Sequence, residues 1–228
     1  MKLAALYSGG KDSTFAAYLM EQQGHEVDFL VSVVPDNLYS WMFHTPNLNL
    51  IPAMADAMDK KHVSVESHGE EKGELAALKS VLENLEVEGI ITGAIASDYQ
   101  WDRINHICED LGLKVFSPLW RKDPLTVMEN MIESGIKAVI ATVAAEGLNE
   151  KWLGRELDFK TLEDLKVLNE KYKVSVSGEG GEYESLTLDS PLHKKSMEIR
   201  SFEIIESRDN SRMQVKEVVF RDKPTPSF

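Results

Sequence analysis

Leu3-Ala4-Ala5-Leu6-Tyr7-Ser8-Gly9-Gly10-Lys11-Asp12-Ser13 stands near the start of the chain and decides how the rest is read. Leu3–Tyr7 is an apolar run of the length of a buried strand. From Asp12 to Gln23 the pattern changes: Phe15, Ala16, Leu19 and Met20 recur at helical spacing, and Gly24 marks the stop. Between strand and helix, Gly9 and Gly10 permit a tight turn and a close backbone approach to a ligand. A helix start offers N–H groups with no intrahelical partner and the positive end of the helix dipole. Ser8 and Ser13 add hydroxyls and Lys11 a point charge, a set suited to an anion the size of pyrophosphate. The spelling is not that of a Walker loop, because Asp12 stands where Ser or Thr is required and no glycine precedes Gly10 at the needed spacing. No G-x-G-x-x-G occurs either. The plain alternative is a βα turn with Asp12 or Ser13 as helix cap.

Reading outward, the alternation continues. Strand-like runs at Val27–Val34, Val63–Glu66, Gly89–Thr92 and Val115–Phe116 interleave with helix-like runs at Pro52–Lys60, Glu70–Leu85 and Trp101–Leu111. This βαβαβ pattern predicts an α/β fold, a Rossmann-like parallel sheet with helices on both faces. Ligands of such sheets bind at the carboxyl ends of the strands, which is where Ser8–Ser13 and Gly93–Arg103 fall. The second half has another texture: helices at Leu125–Ser134 and Leu162–Tyr172, strands at Ala138–Val143 and Val174–Ser177, and a late antiparallel hairpin over Met197–Ile204 and Met213–Phe220. A boundary near Trp120–Pro124 divides the chain into a nucleotide domain, 1–122, and a smaller α+β domain, 123–228.

Charge narrows the classes of partner. The 228 residues carry 38 Asp+Glu against 25 Lys+Arg, a net charge of −13. That argues against a generic nucleic-acid binder and against docking on an anionic membrane, but not against a nucleotide held by backbone N–H groups. A hydrophobic content of 43% supports a sizeable core. The single cysteine, Cys108, excludes an internal disulfide and lies in a helical apolar stripe with Ile104, Ile107 and Leu111. The opening MKLAALYSGG is too short for a signal peptide or span, and the expected location is cytoplasmic.

Three further stretches hold candidate site residues. In Tyr39–Asn47, Met42 and aromatic side chains surround His44: either a packed apolar loop or a lid over adenine or phosphate. In Gly93–Arg103, Gly93 at a strand end leaves room for a ligand. Ser97 and Asp98 are candidate caps of the next helix. Gln100 and Arg103 share a face, and an arginine there can clamp a carboxylate or phosphate. Gly178–Glu184 packs three glycines and three glutamates together, poor material for a helix or central strand. It reads as a solvated hairpin loop or as a mobile acidic loop facing the nucleotide site.

SGGKDS after an N-terminal strand resembles the pyrophosphate loop of the N-type ATP pyrophosphatases, which adenylate a substrate and release pyrophosphate. Tyr39-Ser-Trp-Met-Phe-His-Thr-Pro-Asn47, Gly93–Arg103 running on to Pro118-Leu-Trp120, and Gly178-Glu-Gly-Gly-Glu-Tyr-Glu184 with Leu188-Asp-Ser-Pro-Leu192 together resemble the diphthine–ammonia ligase family, from Lys2 to about Lys195. One departure is visible: members usually carry Arg where this chain has Trp101. The resemblance implies an adenine nucleotide alpha hydrolase domain and a ligase using ATP and Mg2+. Its substrates would be ammonium and a diphthine-bearing elongation factor 2. Ser8, Gly9, Gly10, Lys11, Asp12, Ser13, Met42, His44, Gly93 and Ser97 would bind ATP, and Asp12 and Glu179 the metal. Tyr99, Gln100, Trp101, Arg103, Glu179, Glu182, Tyr183 and Glu184 would bind diphthine, whose quaternary ammonium suits aromatic faces and carboxylates. Lys11, Asp12, Ser13 and Arg103 would be catalytic. A tRNA-modifying ligase on the same fold is disfavoured by the net charge and the lack of a Cys pair. A non-catalytic ATP sensor is disfavoured by Lys11-Asp12-Ser13 and the acidic loop.

Overall fold

The computed structural model describes residues 1–35, 47–67 and 71–224. The chain divides into two compact units, one of Met1–Ala55 with Lys60–Arg121, the other of Asp56–Asp59 with Lys122–Phe228.

In the first unit, β1 (Lys2–Leu6) leads into α1 (Lys11–Gln22), followed by β2 (Glu26–Pro35), α2 (Ile51–Ala57, its end at Asp56 and Ala57 falling in the second unit), β3 (Lys61–Ser67), α3 (Glu71–Leu82), β4 (Gly89–Ile91), α4 (Asp98–Leu111) and β5 (Lys114–Phe116). The five strands are all parallel, in the order β3-β2-β1-β4-β5. β1 is the centre, and Leu3, Ala4 and Ala5 are fully buried, as a parallel strand covered on both faces must be. On one face Leu78 and Leu82 of α3 and Ile104, Ile107 and Cys108 of α4 close over Ala4, Val31, Val33 and Ile90. Each fully buried side chain of Val or Leu size contributes about 1.5–3 kcal/mol, so this layer carries much of the unit's stability. Strand order reverses at β1, with β2 and β3 on one side and β4 and β5 on the other. The crevice for a ligand therefore lies at the carboxyl edge, between the loops after β1 and β4.

The second unit holds α5 (Pro124–Glu133), β6 (Lys137–Val143), α6 (Phe159–Tyr172), β7 (Tyr183–Asp189), β8 (Lys195–Glu206) and β9 (Ser211–Asp222). The sheet is antiparallel in the order β7-β6-β9-β8. Its helices begin on aspartate caps: Asp123 accepts from Thr126 N at 2.8 Å and Asp158 from Thr161 N at 2.7 Å. Such a cap contributes about 1 kcal/mol.

The alternation of the first half, the parallel sheet and the late hairpin all match the sequence reading. Two local readings do not. Val174–Ser177 is not a strand: it leaves α6 through Lys173 at φ +61, Val174 O accepts from Asn169 Nδ2, and Ser175 O accepts from Gly178 N in a turn. The strand lies later, in β7, so the acidic stretch is not loop throughout: Tyr183 and Glu184 already pair with Val143 and Thr142.

Candidate active site

The loop after β1 is a tight glycine turn that runs directly into α1. Gly9 adopts φ +79, a conformation open to glycine at no steric cost, and a Cβ there would meet Ile51 and Met54 of α2 at 3.5 Å. Gly10 is the N-cap of α1, and no side chain caps the helix. Its N-terminal N–H groups are therefore not spent on a cap residue, and the dipole end faces the loop. Ser8 and Ser13 brace the turn from within: their hydroxyls are 3.3 Å apart, Ser8 Oγ accepts from Gly10 N at 3.3 Å, and Ser13 Oγ donates to Gly10 O at 3.1 Å. Lys11 is only 2% exposed and its ammonium donates to Asp12 Oδ2 at 2.7 Å. The pair brings a fixed positive charge to the loop without leaving it uncompensated.

Two supports escaped the sequence reading. Thr14 is fully buried, its hydroxyl donating to Gly10 O at 2.9 Å and lying 3.3 Å from the Tyr7 phenol oxygen. Burial pushes the Tyr7 phenol up to about 12, so it stays a neutral hydrogen-bonding group. Ser32 Oγ donates to Tyr7 O at 2.6 Å. The signal was present: Thr14 stands four residues after Gly10, the spacing of a hydroxyl returning to the carbonyl of the preceding turn.

Gly93 follows β4 and meets the loop from the other side of the switch point. A Cβ on it would stand 2.8 Å from Asp12 C and Ser13 N. The glycine is thus required by backbone packing against the start of α1, where the sequence suggested room for a ligand. Next in the chain, Ser97 caps α4 by accepting from Gln100 N at 3.3 Å. Asp98 pairs with Arg121 at 3.1 Å. Trp101 stacks on Trp120, with ring centroids 5.5 Å apart and planes at 17°. Arg121 lies over Trp120 at 5.5 Å, so a cation adjoins the aromatic pair. Arg103 folds back along its own helix, its guanidinium 3.3 Å from the Tyr99 ring centroid and donating to Tyr99 O at 3.1 Å. Gln100 is half-buried in the first turn of α4. Met42 and His44 lie outside the described residues.

The acidic stretch belongs to the second unit and is wound on itself. Gly178, at φ +72, lies against Tyr183, whose carbonyl would be 2.7 Å from a Cβ there. Tyr183 is buried and donates through its phenol to Val176 O at 2.8 Å. Glu182 Oε1 accepts from Ser175 N at 2.9 Å. Glu184 accepts from Thr142 Oγ1 at 3.2 Å. Loss of hydration pushes its carboxyl up to about 7, against the opposing effects of Thr142 and Arg212. A carboxyl poised there can exchange a proton near neutral pH. Glu179 stands half-buried in the turn before β7. Among the described residues no group of three or more His, Cys, Asp or Glu is arranged to hold a metal. Among them, too, no helix is long and apolar enough to cross a membrane.

A glycine turn running into a helix without a side-chain cap, at the switch point of a parallel sheet, defines the class: an α/β protein with a phosphate-binding loop. Family models carry this further. One described as diphthamide synthase N-terminal domain matches residues 1–115, and one described as diphthamide synthase C-terminal domain matches 123–220. The chain is 39% identical over 228 residues to the diphthine–ammonia ligase of Bos taurus, covering 90% of this chain and 85% of that one. It is 38% identical over 229 residues to the Homo sapiens protein of the same name, with the same coverage. The chain belongs to the diphthine–ammonia ligase family, and is an enzyme of the ligase class. The Schizosaccharomyces pombe ligase is 37% identical over 246 residues, covering 98% of this chain but 40% of that one. Among solved structures, a predicted subunit of tRNA methyltransferase from Methanocaldococcus jannaschii covers 83% of this chain and 97% of that one. Its identity of 17% and TM-score of 0.44 are too low to bear on function.

Proposed function

We propose that this enzyme converts diphthine on elongation factor 2 to diphthamide, using ATP and ammonium, with residues 1–122 binding ATP and 123–228 recognising substrate. The observation that carries the reading is the loop Ser8–Ser13, with α1 lacking a side-chain cap and buried Lys11, at the switch point of the sheet in a member of this family. The diphthine carboxylate oxygen attacks the α-phosphorus of ATP, and the bond to the β-phosphate oxygen breaks. The products are an acyl-adenylate and pyrophosphate. Nitrogen of ammonia then attacks the acyl carbon, AMP leaves with the C–O electron pair, and nitrogen gives up a proton.

The chain's own residues supply position and charge, which carry most of the rate in such transfers. The N-terminal N–H groups of α1 and the Lys11 ammonium hold the leaving pyrophosphate. Ser13 and Thr14 fix the loop carbonyl of Gly10 so that those groups do not reorganise during reaction. Asp12 would hold Mg2+, which favours oxygen ligands and substrate phosphates and neutralises phosphate charge when bound. In the first domain Arg103 is assigned to the substrate carboxylate. In the second, Glu184, whose carboxylate accepts from Thr142 Oγ1, is assigned to substrate recognition. The nitrogen comes from free ammonium. Cys108 is fully buried in the core and its thiol is pushed up by burial to about 11, the condition of a packing residue and not of a glutaminase nucleophile.

The test is incubation with ATP, ammonium and diphthine-bearing elongation factor 2, followed by mass measurement of the modified histidine and assay of AMP and pyrophosphate. A carboxamide formed only when all three are present supports the reading. Equal activity with glutamine and no ammonium contradicts the nitrogen source, and ATP binding with no pyrophosphate contradicts the enzyme.

A further inference from the structure

Glu74 and Ser67 stand out because each is buried with a polar atom that nothing satisfies. Each is 2% exposed, and Glu74 Oε2 and Ser67 Oγ have no hydrogen-bond partner among the described residues. Buried carboxylates are expensive unless paired, and native proteins leave few such atoms unmatched. Glu74 lies on the sheet-facing side of α3, in line with Leu78 and Leu82 at successive turns. Those two leucines pack on Ala4 of β1 and Val31 and Val33 of β2. Glu74 is one turn nearer the start of α3, which begins at the carboxyl end of the sheet. Leu75, Leu6 of β1 and Tyr99 of α4 pack against the same cluster. Ser67 is the last residue of β3, paired with Pro35 at the end of β2. Both residues thus stand at the edge where ligands of parallel sheets bind.

We infer that Glu74 binds the ammonium ion that the enzyme consumes, with Ser67, orphaned at the same sheet edge, as a second ligand to be tested, an assignment that rests on the proposed function above. Two features of the orphaned carboxylate select this ion. The net charge of the carboxylate asks for a cation. The unmatched lone pairs ask for N–H or O–H donors, which ammonium has in four directions and a quaternary ammonium lacks altogether. A magnesium ion would need further oxygen ligands, and no group of three or more carboxylate, histidine or cysteine side chains is gathered among the described residues. The ion would be held at the same edge of the sheet as the phosphate loop, raising its local concentration on the side where the acyl-adenylate forms.

The experiment uses the full chain with ATP, diphthine-bearing elongation factor 2 and ammonium chloride as probe. Glu74→Gln keeps shape and removes charge. It is expected to raise KM for ammonium at least tenfold, equivalent to about 1.4 kcal/mol of binding. ATP–pyrophosphate exchange measured without ammonium should stay unchanged, and Glu74→Asp should recover part of the loss. Ser67→Ala leaves the charge and removes one acceptor, so about a threefold rise is expected. It carries the test if the glutamine variant does not fold. An unchanged KM for ammonium in the folded variants overturns the site, as does exchange that falls in parallel with amidation. If the unsubstituted enzyme forms no ammonium-dependent product, the proposed function itself falls and takes this assignment with it. If it forms product and the variants match it, only the ammonium site falls.

Discussion

Replacing Gly93 by alanine tests whether the backbone after β4 holds the phosphate loop in place. The new Cβ would lie 2.8 Å from both Asp12 C and Ser13 N, and 2.9 Å from Asp12 O. All three are backbone atoms and cannot rotate away. Ordinary contact begins near 3.4 Å, so β4 and the start of α1 must part by about 0.6 Å. Overpacking of this kind costs about 1–3 kcal/mol, which in a chain of this length lowers Tm by about 2–12 °C. The same displacement moves the N–H groups assigned to pyrophosphate. A misplacement of about 1 Å can cost a reaction on the order of 100-fold, so a drop of about tenfold or more is expected in ATP–pyrophosphate exchange. Thermal unfolding and the exchange assay read the two effects separately. A Gly93→Ala enzyme with unchanged Tm and unchanged exchange would refute the claim that this contact positions the loop.

Other expectations follow from particular contacts. Tyr183→Phe strips the buried donor from Val176 O, so stability should fall by about 1–3 kcal/mol and amide hydrogen exchange over Val176–Gly181 should quicken. Equal exchange rates would show that the phenol does not hold the turn. Trp101→Ala removes the stack on Trp120, worth about 0.5–1.5 kcal/mol beyond buried area. A Trp101→Ala, Trp120→Ala double-mutant cycle by denaturant unfolding should return a coupling of that size, and zero coupling would deny it. The pH dependence has two opposed parts. Burial lowers His193 to about 4, so the unfolded chain takes its proton first and stability climbs as pH rises from about 4 to 6.5. Glu184 is raised to about 7, so the folded chain keeps its proton longer and stability drops as pH rises from about 4.5 to 7. The two slopes, each about 1.4 kcal/mol per pH unit, cancel over the shared window. Glu184→Gln should expose the His193 slope as a rise in unfolding free energy between pH 4.5 and 6.5. A profile parallel to that of the unsubstituted chain would contradict this.

The first half of the fold was legible because its signals are local and redundant. Leu3–Tyr7 reads as a strand from its apolar run, and α1 from helical spacing ending at Gly24. The loop between them is recognisable from residue types alone. Gly93 was visible as a marked position, but its reason was not: the atoms that exclude a side chain come from Asp12 and Ser13, far away in sequence and adjacent only through the β1–β4 crossover. The second half hid more. Val174–Ser177 carries strand residues, yet the Asn169 side chain and the Gly178 turn claim backbone groups a ladder would need. Tyr183 and Glu184 belong to β7 although glycines and glutamates precede them, because pairing with Thr142 and Val143 overrides local propensity. Glu74 gave no signal at all. A glutamate in a charged helix reads as solvated surface, and only its alignment with Leu78 and Leu82 against the sheet places it inside.

The central claim is that ATP is cleaved to drive amide formation on diphthine. The most direct measurement follows nitrogen and phosphate together: isotopically labelled ammonium, ATP and diphthine-bearing elongation factor 2, with mass analysis of the histidine-bearing peptide and quantification of nucleotide. The account predicts label in a new carboxamide on that residue, with AMP and pyrophosphate released in equal amounts to amide. Labelled amide accompanied by ADP and phosphate, or AMP and pyrophosphate released with no label on the histidine, would contradict it.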